Sequence, residues 1–129
     1  MDWMNRAISS IKNALMVKKS SVIVRGTKHI LEVLRVLKQE GFIAGYESCE
    51  VEGKMQTCKV SLAYYGNESV IRTLRSVSKP SLPVYIKYTD IKPYLKHFKM
   101  PIISTSKGVL SGKEAIDKKI GGKFICEVS

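Results

Sequence analysis

The hydrophobic residues of this chain change their spacing several times, and this change constrains the fold more than any other feature. Between residues 4 and 15 they recur every three or four positions, which is typical of one face of a helix. The same spacing predicts a second helix between Thr27, a suitable N-cap, and Gly41, a suitable stop. From residue 58 to 64 they alternate with other residues, as in a half-buried strand. The sequence therefore predicts an α+β fold.

Two prolines within residues 79–83 predict a boundary between two small α/β subdomains packed together. Residues 1–78 would form the N-terminal subdomain, with the order helix, strand, helix, strands. Residues 79–129 would form a C-terminal subdomain that is mostly β with a short helix, because Ser111 and Glu114 have the spacing of a capping box. Other predicted elements in this half of the chain are strands over residues 69–78, 84–88, 102–104 and 123–128 and a short helix over 92–98.

The net charge of +11 calls for a polyanionic partner, because such a surplus repels itself. Nucleic acid is the first candidate and an anionic membrane surface the second. Residues 66–129 hold 12 basic and 5 acidic residues, so they carry the larger share of the surplus. No window contains the 18 or more apolar residues of a membrane-spanning helix. Three cysteines without paired spacing predict free thiols rather than disulfides or a zinc site.

An enzymatic function has little support in the sequence. The two histidines, His29 and His97, are not accompanied by a G-x-S-x-G motif or by metal-ligand spacing. We therefore predict no enzyme activity, no metal, no cofactor and no small-molecule substrate. A small hydrolase using Ser104 or Ser106 stays open as an alternative, although nothing identifies its substrate.

The segment from Ser104 to Lys107 places three hydroxyl groups, Ser104, Thr105 and Ser106, before a cation. Hydroxyl groups both donate and accept hydrogen bonds, so they suit phosphates, ribose hydroxyls and base edges. From the pattern alone, however, a polar surface turn after a strand is the favoured interpretation of the same residues.

Other candidates for a nucleic-acid contact come from three further segments. The pair Gly121-Gly122 would allow a close backbone approach, although it could also simply end a helix. Tyr85 beside Lys87 would form a platform for stacking a base, unless the tyrosine belongs to the core. The first helix offers the polar pair Lys12 and Asn13, which could also be an ordinary solvated face.

Several motifs together resemble the bacterial-type family of small-subunit ribosomal protein S-eight. The similarity runs in order along essentially the whole chain, at residues 11–14, 37–43, 78–80, 84–85, 102–115 and 118–126. The resemblance implies two α/β subdomains, primary binding to the central domain of small-subunit rRNA during assembly, and contacts with neighbouring ribosomal proteins. It implies no membrane partner.

The resemblance also assigns candidate RNA-binding residues. The family's main RNA site corresponds to Ser104, Thr105, Ser106, Gly121 and Gly122, its RNA-facing tyrosine to Tyr85, and a second contact to Lys12 and Asn13. The cations beside these segments complete the candidate set, namely Lys79, Lys87, Lys107 and Lys123.

The sequence departs from the family pattern at four places. Residues 81–83 and 97–99 replace segments that contain glycine in the family, Lys123 replaces an acid, and Ser129 replaces an aromatic residue. These departures predict an organellar ribosome, with the mitochondrial matrix favoured over a plastid or a bacterial cytoplasm. The alternative function is a generic basic module that binds nucleic acid or anionic surfaces outside the ribosome.

Overall fold

The computed structural model describes residues 3–51, 55–79 and 81–129, with the side chains of residues 48–51 and 55 left out. The predicted cap at Asp2, the predicted turn at 52–54, Pro80 and the side chain of Cys49 lie outside this part. The described chain contains helices and antiparallel sheets, so the predicted α+β fold is confirmed. None of its helices is long and apolar enough to span a membrane.

Contacts divide the chain into two compact units, Met1–Ile71 and Arg72–Ser129. The first unit contains two helices and a three-stranded antiparallel sheet with the order β1-β3-β2, beside a short hairpin, β4-β5. Its elements are α1 (Trp3–Met16), β1 (Ser21–Arg25), α2 (Lys28–Gln39), β2 (Ile43–Val51), β3 (Met55–Leu62), β4 (Tyr64–Tyr65) and β5 (Glu68–Ser69).

Local signals explain both ends of α2. The Thr27 hydroxyl accepts a hydrogen bond from the Ile30 N–H at 3.3 Å, and this satisfies one of the free donors at the helix start. Gly41 has a φ of +81°, a conformation that glycine adopts without strain. The predicted limits of this helix are confirmed. The apolar sides of α1 and α2 are buried, and in the sheet Val24, Cys58 and Val60 are buried as well.

The second unit is built around its last strand, β10, which pairs with three other strands. Strand β8 lies on one side of β10, with β9 beyond it, while β6 and β7 pair with successive stretches of the other side. The elements of this unit are β6 (Leu74–Ser76), β7 (Tyr85–Ile86), a 3-10 turn (Tyr88–Asp90), α3 (Lys92–Lys96), β8 (Met100–Thr105), β9 (Gly108–Ser111), α4 (Gly112–Asp117) and β10 (Gly122–Val128).

The start of α4 confirms the predicted capping box. The Ser111 hydroxyl accepts from the Glu114 N–H at 3.3 Å, and the Glu114 carboxylate accepts from the Ser111 N–H at 3.4 Å. Ala115 of this helix packs in a buried cluster with Ile91 and Ile103, against which the side chain of Ile86 also packs.

Several sequence predictions differ from the structure in this unit. Within the predicted strand 69–78, Ser69 ends β5 of the first unit and Leu74–Ser76 forms β6 of the second. Because β6 pairs with β10, the contacts divide the chain after Ile71 and not at residue 79. The predicted strand 84–88 is reduced to Tyr85–Ile86, because Lys87 leads directly into the 3-10 turn. Strand β9 was not among the predicted strands.

Cys58 and Cys126 are buried free thiols, as predicted for these two cysteines. Burial, with a smaller contribution from the neighbouring Glu127 carboxylate, raises the pKa of Cys126 from 9.0 to about 12. This thiol therefore stays protonated over the physiological pH range and is a packing group rather than a nucleophile.

Candidate nucleic-acid interface

Three of the predicted site residues form a row across the sheet of the second unit. Lys123 on β10 pairs with Tyr85 on β7 and with Ser104 on β8. Directly paired residues of antiparallel strands have their side chains on the same face of the sheet. The side chains of Tyr85, Lys123 and Ser104 therefore lie in this order across one face. We call these three residues the Tyr–Lys–Ser row. The Tyr85 side chain is 72% exposed, while Lys123 and Ser104 are partly buried.

The hydroxyl-rich segment forms the tip of the β8–β9 hairpin, next to the end of this row. Thr105 pairs with Gly108, which leaves Ser106 and Lys107 exposed at the tip. The Thr105 hydroxyl donates to the Gly108 carbonyl at 2.8 Å and accepts from the Lys107 N–H at 3.1 Å. Thr105 therefore closes the hairpin rather than facing outward.

Ser106 differs from Thr105 in this respect. Its side chain makes no hydrogen bond to any residue that the structure describes, so its hydroxyl is available to an external donor or acceptor. Lys107 follows it in the chain and is exposed on the same hairpin tip. Of the three consecutive hydroxyls, Ser106 is thus the one whose geometry best suits external contact.

The glycine pair serves the packing of this unit's own strands. A Cβ added at Gly122 would lie 2.2 Å from the Ser104 carbonyl oxygen, and one at Gly121 would lie 2.4 Å from the Ile86 carbonyl oxygen. Both distances are far inside van der Waals contact, so any side chain would push the main chains apart. The glycines therefore allow β10 to begin close to β7 and β8, which brings Lys123 between Tyr85 and Ser104.

Strand β7 is held in place by Ser78, a buried residue that the sequence did not single out. Its hydroxyl accepts from the Val84 N–H at 2.9 Å and approaches the Val84 carbonyl oxygen at 3.2 Å. The same carbonyl accepts from the Phe124 N–H at 2.8 Å. Residues 78–80 belong to the motifs that resemble the S-eight family, but neither that motif nor a small polar residue before a proline-containing segment indicates a hydrogen-bonding role for Ser78.

The remaining candidates of this unit lie outside the row. Lys87 is exposed and follows Ile86, whose side chain points into the core. Val84, which precedes the row, is exposed at 39%. Lys79 is exposed and forms an isolated antiparallel β-bridge with Leu82. It does not pair with a residue of the Tyr–Lys–Ser row.

Lys12 and Asn13 lie on α1 in the first unit, and both side chains are exposed. Both positions are open to a partner, as a second contact would require.

The hydrolase alternative gains no geometric support. Neither Ser104 nor Ser106 has a hydrogen bond to a histidine in the described part of the chain. The described residues also contain no group of three or more His, Cys, Asp or Glu side chains placed to hold a metal ion.

Comparison with known proteins decides the family. The family model described as Ribosomal protein S8 matches residues 2–129, nearly the entire chain. The chain belongs to the ribosomal protein S8 family. The predicted resemblance to the S-eight family is therefore confirmed.

Curated members of the S8 family are similar over almost their whole length. Three proteins named small ribosomal subunit protein uS8 illustrate this. The protein of Bartonella bacilliformis is 35% identical, with 98% of this chain and 96% of the relative covered. That of Caulobacter vibrioides is 38% identical with the same coverage. That of Geobacillus stearothermophilus is 40% identical, with 94% of this chain and 92% of the relative covered. These S8 relatives are bacterial and give no support to the predicted mitochondrial location.

Proposed function

We propose that this chain is a structural constituent of the small ribosomal subunit that binds rRNA through the exposed face around the Tyr–Lys–Ser row and the β8–β9 hairpin tip. The finer part of the proposal is that its primary target lies in the central domain of the small-subunit rRNA, which it stabilises during assembly. The observation that carries the proposal is the register that aligns Tyr85, Lys123 and Ser104. Membership of the S8 family supports the ribosomal role.

The chemistry of this face suits folded RNA. Sequence-specific RNA recognition uses bases that stack on exposed aromatic rings, and Tyr85 supplies such a ring. Hydroxyls such as that of Ser106 exchange hydrogen bonds with ribose 2′-hydroxyls and phosphates, and Lys107 neutralises phosphate charge. The Arg72–Ser129 unit contains 12 Lys and Arg residues against four Asp and Glu, so it attracts the RNA backbone over a wide area.

The experiment is a titration of the purified protein with a short, irregular helix from the central domain of small-subunit rRNA. A regular duplex of equal length serves as the competitor. We expect tight binding to the rRNA helix, weak competition by the duplex, and an affinity that falls steeply with salt. If the duplex or anionic vesicles compete fully, the protein is a generic basic binder and the specific part of the proposal is wrong.

Two variants test the hairpin tip. Ser106→Ala should weaken binding by about 1–2 kcal/mol, as for one or two lost hydrogen bonds, with little change in melting temperature. Lys107→Gln should reduce the salt slope by about one phosphate contact. Lys113→Gln is the matched control, because Lys113 is an exposed lysine on α4 and outside the hairpin. If Ser106→Ala lowers the melting temperature but not the affinity, the tip is only structural.

A further inference from the structure

Strand β1 is an edge of the three-stranded sheet in the first unit, and among the described residues it pairs only with β3. Two hydrogen bonds at its ends define which of its main-chain groups are used. The Leu62 N–H donates to the Ser20 carbonyl at 2.9 Å, and the Gly26 N–H donates to the Gln56 carbonyl at 2.8 Å. At the β1 end of each bond stands an even-numbered residue, Ser20 or Gly26.

Hydrogen-bonded and non-hydrogen-bonded pairs alternate along an antiparallel ladder. The even-numbered residues of β1 therefore bond to β3, while the N–H and C=O groups of Ser21, Ile23 and Arg25 point to the open side. Such a row of main-chain donors and acceptors is the template on which another extended segment can pair.

A groove follows this open edge, between β1 and α1. It consists of two adjoining hollows of about 350 Å³ and 620 Å³ that share Ser10 and Ile23 in their walls. Three of the α1 side chains that line the groove are small, namely Ala7, Ser10 and Ala14, and the larger ones are Trp3, Arg6 and Asn13. Small residues leave room for a main chain beside β1.

The walls of the groove are basic. Arg6, Lys19, Arg25 and Lys59 line it, and its lining contains no Asp or Glu among the described residues. The Arg25 guanidinium lies 3.9 Å from the centroid of the Trp3 ring, and this contact fixes the cation at one end of the edge.

An apolar residue stands at the middle of the edge. Ile23 is 66% exposed although it lies in a strand, and Val17, which also lines the groove, is 65% exposed. Main-chain hydrogen-bonding groups, flanking cations and a central apolar contact together match an extended peptide with acidic and apolar residues.

We propose that the β1 edge binds an extended acidic peptide segment of another protein by strand addition. The five residues of β1 would pair with a segment about 17 Å long, at ~3.4 Å per residue. A second copy of this chain is a poor occupant, because a net charge of +11 repels its own copies. RNA could use the cations and its phosphates could accept from the N–H groups, but an extended peptide also supplies an N–H donor for each C=O group of the edge at the spacing of a strand. The proposal concerns the Met1–Ile71 unit and does not depend on the Tyr–Lys–Ser row, and Asn13, the candidate second RNA contact, also lines the groove.

The probe is a seven-residue peptide that alternates Glu and Val, titrated into the full chain. Trp3 is the single tryptophan of the sequence and lines the groove, so its fluorescence reports binding directly. We expect a saturable change in this fluorescence and slower amide exchange at Ile23. A peptide that alternates Lys and Val should not bind, since the groove walls repel it.

Two changes test the main-chain pairing separately. Ile23→Pro removes an N–H on the open side without removing a bond to β3, and edge strands tolerate proline for this reason. It should weaken peptide binding by about tenfold or more. Ile23→Val keeps the N–H and should bind as the unchanged protein does. A peptide N-methylated at alternate residues tests the same bonds with the protein intact, and should bind as weakly as the proline variant does to the unmodified peptide.

Three results would overturn the proposal. The first is a peptide that produces no fluorescence change at millimolar concentration. The second is an affinity that neither Ile23→Pro nor N-methylation reduces, because main-chain pairing would then not be used. The third is structured RNA that displaces the peptide and binds Ile23→Pro as tightly as the unchanged protein, which would make the groove a phosphate-binding surface.

Discussion

Gly122→Ala tests how the candidate interface is built. The added methyl carbon would lie 2.2 Å from the Ser104 carbonyl oxygen and 3.0 Å from the Ser104 carbonyl carbon. These are main-chain atoms in β8, so no side-chain rotation can relieve the contact. Strands β8 and β10 must therefore separate at the point where Lys123 pairs with Ser104.

The displacement is large on the scale of a packed sheet. Ordinary contacts of this kind are about 3.4 Å or longer, so the two strands would have to move by roughly 1 Å. Overpacking of this kind destabilises the folded state by about 1–3 kcal/mol. Alanine also reduces the conformational entropy of the unfolded chain, which offsets less than about 1 kcal/mol of this loss. We therefore expect Gly122→Ala to lower the free energy of unfolding by about 1–2 kcal/mol and also to weaken rRNA binding.

Urea denaturation followed by far-UV circular dichroism measures this change. Gly45→Ala is the matched control, because Gly45 lies in strand β2 and an added Cβ there would meet nothing within 4 Å. The control should be neutral or slightly more stable than the unchanged protein. If Gly122→Ala is as stable as Gly45→Ala, the glycine is not needed for the close approach of β8 and β10, and the reasoning is wrong.

Three further substitutions probe groups around the interface. Ser78→Ala removes the side-chain bonds to the Val84 main chain and should cost about 1–2 kcal/mol in urea denaturation; an unchanged midpoint would mean that β7 is held by other contacts. Thr105→Val should cost about 1 kcal/mol by opening the hairpin, whereas Ser106→Ala should cost almost nothing, and the reverse order would contradict the assigned roles. The raised pKa of Cys126 means that the unfolded chain loses a proton near pH 9.0 while the folded chain keeps it, so stability falls as pH rises above 9. The stability advantage of the unchanged protein over Cys126→Ala should therefore shrink by about 1 kcal/mol between pH 8 and pH 10, and a constant difference would refute this reasoning.

Elements whose signals are local could be predicted from the sequence. Thr27 and Ser111 cap helices through bonds to residues only three positions away, so the sequence shows both partners. Strand β9 escaped prediction because only Val109 and Leu110 are apolar between polar turn residues. A strand was predicted over residues 69–78, but its true limits, Leu74–Ser76, could not be, because they depend on pairing with β10, more than 45 residues further along the chain.

The same distinction applies to the candidate site. The composition of the hydroxyl segment indicated its hydrogen-bonding capacity. It did not show that the Thr105 hydroxyl donates to the Gly108 carbonyl within the hairpin. The glycine pair indicated a close approach, and only the pairing of distant strands reveals that Ser104 and Ile86 are the groups approached. The position of β1 at the sheet edge could not be predicted, because an edge strand has a neighbour on one side only and the sequence does not show which strands pair.

The most direct test of the central proposal is crosslinking in cells, with sequencing of the attached RNA and mass spectrometry of the attached peptides. We predict small-subunit rRNA, enriched in its central domain, joined to peptides that contain Tyr85, Ser106 or Lys123. Crosslinks to unrelated RNAs in proportion to their abundance, or rRNA crosslinks that avoid all three residues, would contradict the account.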